Sequence, residues 1–209
     1  MPIHIGLLGA MPEEVESCVK ELENVKTFKF GDLKIYFGEL ATFSTNNSRI
    51  HVSVAWSGWG KVSAARAATR IISEASNSIP INLILFTGVA GSADKKLKQW
   101  DIVLPESVIQ HDMDATPIFQ KFIVPALKKE YLPSIPKYTN WAYKLLKDSI
   151  KMNKLSNFGK VSKGIIATGD KFVSDKNFLT TLSENIPGLS AVEMEGAAFA
   201  QVAFQENVD

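Results

Sequence analysis

Short apolar runs that end in glycine-containing turns recur along this chain, and they constrain its fold more than any other feature. Residues 3–9 and 81–86 are almost entirely apolar, which is typical of strands buried on both faces of a sheet. Between such runs lie segments with helical spacing, such as residues 62–76. The alternation of strands and helices predicts a single α/β domain over residues 1–209, with three layers around a mixed central sheet.

Five of the predicted strands are followed by turns suited to a binding cleft. In open α/β sheets, ligands bind at the carboxyl ends of the strands, so turns that share this edge would surround one cleft. Five such turns in register indicate a binding cleft more specifically than any single turn does. They are residues 9–13, 57–61, 87–91, 168–172 and 192–195.

Three carboxylates in these turns are candidates for chemistry. Glu193 and Glu195 lie among apolar neighbours, and a carboxylate is costly to bury without a hydrogen-bond partner. Residues two apart on a strand-like backbone face the same side, so these two would share a face. Glu14 follows Pro12 at a predicted helix start. For both Glu14 and Glu195 the alternative is an acid that only stabilises the start of a helix.

Composition narrows the class of protein. A net charge of +1 argues against a nucleic-acid partner. A single cysteine, Cys18, indicates a reducing compartment, so we expect a cytoplasmic protein. We find neither a signal peptide nor a long apolar span and expect no membrane partner. Although His111, Asp112 and Asp114 share one loop, no second ligand cluster accompanies them, and we expect no metal and no cofactor.

Four further expectations concern local structure. The apolar face of the first helix includes Leu22, and residues 100–108 form a strand pair around Pro105. The proline-rich residues 131–136 form a surface loop. The helix that follows is amphipathic, and its apolar residues are Trp141, Leu145, Leu146 and Ile150.

The motifs together resemble one family. The Gly-Ala-Met-x-Glu-Glu start, the His-Asp-x-Asp-x-Thr loop, Gly-Asp-x-Phe and Val-Glu-Met-Glu occur in the order and spacing of the 5′-methylthioadenosine/S-adenosylhomocysteine nucleosidases. That family has the nucleoside phosphorylase-like fold, and the resemblance extends over essentially the whole chain. It implies hydrolysis of the N-glycosidic bond of these nucleosides, release of adenine in methionine salvage, and a homodimer.

The resemblance also implies roles for individual residues. Glu14 would activate the attacking water, and Glu195 would hydrogen-bond the ribose hydroxyls. Phe172 would stack on adenine, with Val173 contacting the edge of the base through its backbone. Ile118 or Phe119 would reach the partner subunit's site. The resemblance implies further substrate contacts at Met11, Trp59, Val89, Ala90, Gly91, Glu193 and Met194.

Two of these positions depart from the family pattern, and one catalytic residue of the family has no counterpart in residues 1–209. Val89 takes the place of a small polar residue, and Trp59 takes the place of a smaller aliphatic one. The family's catalytic aspartate, which protonates adenine, lies on a strand beyond the last helix, and residues 1–209 end before it. Asp209 is not assigned that role. We therefore expect a chain that lacks the final strand and helix, with uncertain turnover.

Two alternatives to a nucleosidase stay open. One is a nucleoside-binding homologue with impaired catalysis. The other is a purine nucleoside phosphorylase, although a phosphate nucleophile favours arginines, and only Arg49, Arg66 and Arg70 occur here. The residues do not distinguish among methylthioadenosine, S-adenosylhomocysteine and aminodeoxyfutalosine as substrate.

Overall fold

The computed structural model describes residues 3–40, 50–76 and 79–209, which divide into two compact units. One unit comprises residues 1–89 and 198–209, and the other comprises residues 90–197. Each unit contains one five-stranded mixed sheet. The predicted mixed α/β class is confirmed, with its strands divided between two sheets.

The sheet of the first unit has the strand order β2-β3-β4-β1-β5. Strand β1 runs parallel to both β4 and β5, whereas β3 runs antiparallel to β2 and β4. The carboxyl ends of β1, β4 and β5 therefore share one edge. The elements of this unit are β1 (Ile3–Gly9), α1 (Pro12–Lys20), β2 (Leu22–Phe30), β3 (Leu33–Leu40), β4 (Ile50–Trp56), α2 (Lys61–Ser76) and β5 (Leu83–Phe86).

Apolar side chains from strands and helices form the core of this unit. Leu8, Ile35 and Ile71 are almost fully buried and belong to one cluster with Phe199 and Val202. A second cluster packs α1 against the sheet through Val15 and Leu22. A buried polar residue of this unit is His4, whose ring nitrogens lie 2.7 Å from the Ile79 carbonyl and 2.9 Å from Ser53 Oγ. Burial lowers the pKa of His4.

The sheet of the second unit has the strand order β6-β10-β9-β7-β8. Strands β7, β9 and β10 are parallel, so their carboxyl ends also meet at one edge. Its core includes Ile109, Ala167 and Ile186, each fully buried. The elements are β6 (Gly91–Ser92), β7 (Ile102–Gln110), β8 (Tyr131–Pro133), α3 (Pro136–Lys151), β9 (Val161–Thr168), α4 (Lys176–Asn185), β10 (Leu189–Glu193) and the start of α5 (Gly196–Glu206).

Two local predictions are wrong about where an element ends or how it is arranged. Helix α1 ends at Lys20, and Leu22 opens β2, where it pairs with Leu40. Residues 102–110 form one strand, β7, whose register shifts beside Pro105, instead of a strand pair.

Two others are wrong about burial. Tyr131–Pro133 is the edge strand β8, with Leu132 buried, and an edge strand tolerates Pro133 because its outer side needs no ladder donor. Of the predicted apolar residues of α3, Trp141 and Leu145 are exposed, whereas Leu146 and Ile150 are half-buried.

Candidate functional site

In the first unit, three turns lie together at the carboxyl edge of the sheet. The Ser57 amide donates to the Gly9 carbonyl at 2.9 Å, and the Gly58 amide donates to the Ala10 carbonyl at 2.9 Å. The Thr87 amide donates to the Leu8 carbonyl, also at 2.9 Å. These bonds bring the turns after β1, β4 and β5 side by side, as their sequences predicted.

Glu14 is the acidic side chain at this edge, and backbone amides fix its carboxylate. Oε2 accepts hydrogen bonds from the amides of Ala10 at 2.6 Å and Met11 at 2.9 Å. Oε1 accepts one from the amide of Val89 at 3.0 Å. A carboxylate has about four acceptor sites, so Oε1 keeps the capacity to accept a hydrogen bond from water.

Two glycines allow this approach of Glu14 to the backbone. A Cβ atom at Gly88 would lie 2.8 Å from Glu14 Oε1, and one at Gly9 would lie 3.0 Å from Oε2. Any side chain at Gly88 would therefore push the carboxylate away from the turn. We call Met11, Glu14, Trp59 and Val89 the Glu14 group. Trp59 and Val89 are exposed, and Glu14 and Met11 are half-buried.

In the second unit, the carboxyl ends of β7, β9 and β10 form another such edge. The His111 amide donates to the Thr168 carbonyl at 2.9 Å, and the Gly169 amide donates to the Glu193 carbonyl at 3.2 Å. The predicted turns after β9 and β10 are therefore neighbours. The remaining predicted site residues, which we call the Glu195 group, are Ala90, Gly91, Ile118, Phe119, Phe172, Val173, Glu193, Met194 and Glu195.

Glu195 is buried, with 6% of its surface exposed, at the junction between β10 and α5. The hydrogen bonds that cap the start of α5 go to its neighbour Glu193, whose Oε2 accepts from the amides of Glu195 at 2.7 Å and Gly196 at 2.6 Å. The predicted contact of Glu193 with substrate stays a prediction. Its bonds to the backbone support a different role, which is to fix the turn that carries Glu195.

Thr168 completes this arrangement, and sequence reasoning missed it. Its hydroxyl donates to Glu193 Oε1 and accepts from the Ala197 amide at 2.8 Å. The side chain is fully buried at the end of β9. The signal in the sequence was its place directly before Gly169-Asp170, at the point where a predicted strand meets a predicted turn.

We expect Thr168→Val to destabilise the protein by about 1–3 kcal/mol, because it removes the buried hydroxyl that donates to Glu193 Oε1 and accepts from the Ala197 amide. Urea unfolding would measure the change. Thr168→Ser is the matched control, since it keeps the hydroxyl and loses one methyl group, which is worth about 0.8 kcal/mol. Equal losses for Val and Ser would show that the hydroxyl does not hold this turn.

The aromatic members of the Glu195 group differ in exposure. Phe172 is 71% exposed, which leaves its ring accessible to a planar ligand, whereas Val173 packs against the core. Ile118 is 83% exposed, and Phe119 is half-buried. Gly91 pairs with Val192 of β10, and its Cβ would lie 3.3 Å from the Val192 side chain.

The aspartates of the loop after β7 hold the loop itself together. Asp114 Oδ1 accepts from the Thr116 amide at 3.1 Å and from the Thr116 hydroxyl at 2.7 Å, and the hydroxyl lowers the pKa of Asp114. Asp112 accepts from the Asp170 amide at 2.9 Å. Among the residues that the structure describes, no three His, Cys, Asp or Glu side chains are grouped to hold a metal ion. None of the described helices has the length and hydropathy of a membrane-spanning segment.

Comparison with known proteins identifies the family. Residues 4–209 match the phosphorylase superfamily. The chain is 33% identical to the 5′-methylthioadenosine/S-adenosylhomocysteine nucleosidase of Haemophilus ducreyi over 205 residues, which are 98% of this chain and 80% of that protein. The corresponding nucleosidase of Oceanobacillus iheyensis is 32% identical, over 97% of this chain and 80% of its own length.

Comparison with solved structures identifies the same family. The nucleosidase of Colwellia psychrerythraea in complex with adenine superposes with a TM-score of 0.83 at 30% identity, covering 100% of this chain and 79% of that one. The nucleosidase of Neisseria meningitidis in complex with methylthio-immucillin-A superposes with a TM-score of 0.82 at 32% identity, covering 98% and 81%. The chain therefore belongs to the phosphorylase superfamily and, within it, to the 5′-methylthioadenosine/S-adenosylhomocysteine nucleosidases.

Proposed function

We propose that this protein hydrolyses the N-glycosidic bond of 5′-methylthioadenosine and S-adenosylhomocysteine and releases adenine, as a step of methionine salvage. Water adds to the anomeric carbon, the bond from that carbon to adenine breaks, and adenine leaves with its electron pair and takes up a proton. The sugar carries positive charge in the transition state, so carboxylates near it stabilise the reaction.

The observation that supports water as the nucleophile is the contact between Glu14 and the glycine turn after β5. A phosphate nucleophile would use the backbone amides of such a turn. Here the Val89 amide already donates to Glu14, and the carboxylate would repel phosphate. The same carboxylate keeps one acceptor site with which it can orient a water molecule and take its proton.

The described arginines are engaged away from this turn. Arg66 donates to Asp32 at 2.8 Å and to the Phe30 carbonyl at 2.6 Å. The Arg70 guanidinium lies 4.8 Å from the centre of the Phe30 ring. Arg49 lies outside the described residues. These contacts favour a hydrolase over a phosphorylase, since the phosphorylases bind their phosphate with arginine.

In the second unit we assign substrate contacts by the chemistry of each side chain. Glu195 accepts hydrogen bonds from ribose hydroxyls, which strengthen as the ring becomes charged. The exposed ring of Phe172 stacks on adenine. Val173, Ala90 and Gly91 border the base, and Met194 borders the sugar. Met11 and Trp59, in the first unit, contact the sugar and the alkylthio group.

Release of adenine tests the activity. Chromatography should show adenine formed from 5′-methylthioadenosine and from S-adenosylhomocysteine, in proportion to the amount of protein. Binding of either nucleoside without adenine formation would instead support a nucleoside-binding homologue.

We also propose a cytoplasmic homodimer. The single, unpaired Cys18 supports a reducing compartment. The exposed Ile118, beside Phe119, supports an apolar contact with a second subunit. Sedimentation velocity at micromolar concentration would reveal a monomer if the assignment is wrong.

A further inference from the structure

Two loops of the second unit form a surface patch at the amino ends of β7 and β9, away from the carboxyl edge that carries the Glu195 group. We define the Trp100 patch as residues 94–101 and 151–160. The Gly159 amide donates to the Trp100 carbonyl at 2.9 Å, and the Lys160 amide donates to Asp101 Oδ1 at 2.9 Å. Lys160 Nζ also donates to the Lys96 carbonyl at 2.8 Å. These contacts join residues 96–101 to residues 159–160, the ends of the two segments that lie beside β7 and β9.

This surface exposes a pair of aromatic rings. Trp100 is 59% exposed and Phe158 is 41% exposed. Their ring centres are 6.2 Å apart, and the rings meet edge to face at 86°. Met152, at the start of the second segment and beside Trp141 and Leu145 of α3, is 65% exposed. Large apolar side chains grouped in this way mark an interaction surface more often than isolated ones do.

The backbone of Trp100 gives an independent reason to assign a role to this residue. Its φ is 70°, in the left-handed region that glycine adopts freely and bulky side chains rarely enter. The strain lowers stability, and an exposed ring recovers little of that loss by packing. A strained residue that does not serve the core of its own chain indicates a function at the surface.

The patch is also strongly basic. It contains six lysines, Lys95, Lys96, Lys98, Lys151, Lys154 and Lys160, and two aspartates. All six lysines are exposed. Asp94 accepts from the Lys96 amide and Asp101 accepts from the Lys98 amide, each at 2.9 Å. Asp101 also lies 3.9 Å from Lys160 Nζ. Six lysines and two aspartates leave the patch a formal charge of +4. The Lys98 amide is also the main reason why the pKa of Asp101 is lowered.

We propose that the Trp100 patch docks onto the surface of an anionic lipid bilayer, with Trp100 and Phe158 entering the headgroup region. Tryptophan favours this interfacial zone, and lysines beside it are attracted to anionic headgroups. Such docking differs from the expectation of no membrane partner, which rested on the lack of a signal peptide and of a long apolar segment. A peripheral contact needs neither a large net charge nor a span.

Two other occupants fit the patch less well. Single-stranded nucleic acid stacks on exposed ring faces and favours arginine, but these two rings stand perpendicular to each other and the patch contains no arginine. A second copy of the chain, related by a two-fold axis through the patch, would bring the same lysines together and be repelled.

Vesicle sedimentation with the full chain tests the proposal. Binding to phosphatidylcholine vesicles that contain about 30 mol% phosphatidylglycerol should exceed binding to pure phosphatidylcholine by at least about tenfold and should weaken with added salt. Lys95→Gln combined with Lys154→Gln should weaken binding about 25-fold, since each lysine contributes about fivefold. The matched control, Lys29→Gln combined with Lys34→Gln, removes two exposed lysines of β2 and β3 and should leave binding unchanged.

Trp100→Gly separates docking from folding. This variant should bind anionic vesicles about tenfold more weakly. Because glycine relieves the left-handed strain, the variant should melt about 2–4 °C higher and release adenine at the unmodified rate. Vesicle binding that is unchanged in Trp100→Gly and in the Lys95/Lys154 variant would overturn the proposal. Tight binding to oligothymidylate that vesicles do not compete with would assign the patch to nucleic acid, and loss of an oligomer in Trp100→Gly would assign it to a second copy.

Discussion

Glu14→Gln is expected to lower the rate of adenine release by about 10²–10⁴-fold, the contribution typical of a general base. The neutral amide cannot take a proton from water. Binding of 5′-methylthioadenosine should change by less than about 1 kcal/mol, because the proposed role of Glu14 is toward water and not toward the nucleoside. Single-turnover kinetics and calorimetry would measure the two effects separately.

Glu13→Gln is the matched control for this experiment. Glu13 is the neighbouring acid in the first turn of α1, it is exposed, and its substitution removes the same charge from the same helix start. It should keep nearly the full rate. Since Glu14→Gln would also present an NH2 group to amides that now donate to the carboxylate, thermal unfolding of both variants would separate lost chemistry from lost structure. If both variants keep the full rate, Glu14 only stabilises the start of a helix.

Glu195→Ala is expected to weaken binding of 5′-methylthioadenosine by about 10- to 100-fold and to leave binding of free adenine nearly unchanged. The physical reason is that a hydrogen bond to a charged group is worth about 1.5–3 kcal/mol, and adenine has no ribose hydroxyls to donate one. Calorimetry would measure both affinities, and the use of the Glu14→Gln protein would prevent turnover during the titration.

Phe172→Ala provides the contrast. Stacking on the base is available to adenine and to the nucleoside alike, so this change should weaken both ligands by a similar factor, corresponding to about 1–3 kcal/mol. Equal losses for adenine and nucleoside in Glu195→Ala would refute the assignment of Glu195 to the ribose.

The sequence predicted the class of fold and the main turns because both depend on short-range patterns. Residues 3–9 form β1 as expected, and the apolar residues before Thr87 form β5 at positions 83–86. Gly9 and Gly88 lie in predicted turns, and in the structure both lie against the Glu14 carboxylate. Such features can be recognised without knowledge of distant partners.

Other features depend on pairings that no local pattern contains. Leu22 continues the helical spacing of Val15, yet its burial comes from Leu40 on the neighbouring strand. Leu132 lies in a proline-rich segment, yet pairing with Val108 places it in a sheet. On α3 the predicted Leu146 and Ile150 are half-buried, as are Tyr138 and Ala142. The contact face therefore excludes the predicted Trp141 and Leu145, which lie one position around the helix.

The roles of Glu193 and Glu195 show the same limit. Their spacing predicted two carboxylates on one face, but β10 ends at Glu193. The Glu193 side chain accepts hydrogen bonds from the backbone amides at the start of α5. The partner that completes this arrangement is Thr168, 25 positions earlier in the chain. Only the structure shows that the Glu193 carboxylate fixes the turn and that the same turn carries Glu195.

The central claim, that water and not phosphate attacks the anomeric carbon, is tested most directly by product analysis in the presence and absence of phosphate. We expect adenine to form from 5′-methylthioadenosine at the same rate in phosphate-free buffer and in excess phosphate. Phosphorus NMR should then detect no sugar phosphate, and the sugar product should be free 5-methylthioribose. Adenine release that requires phosphate, with a ribose 1-phosphate ester as the product, would contradict it.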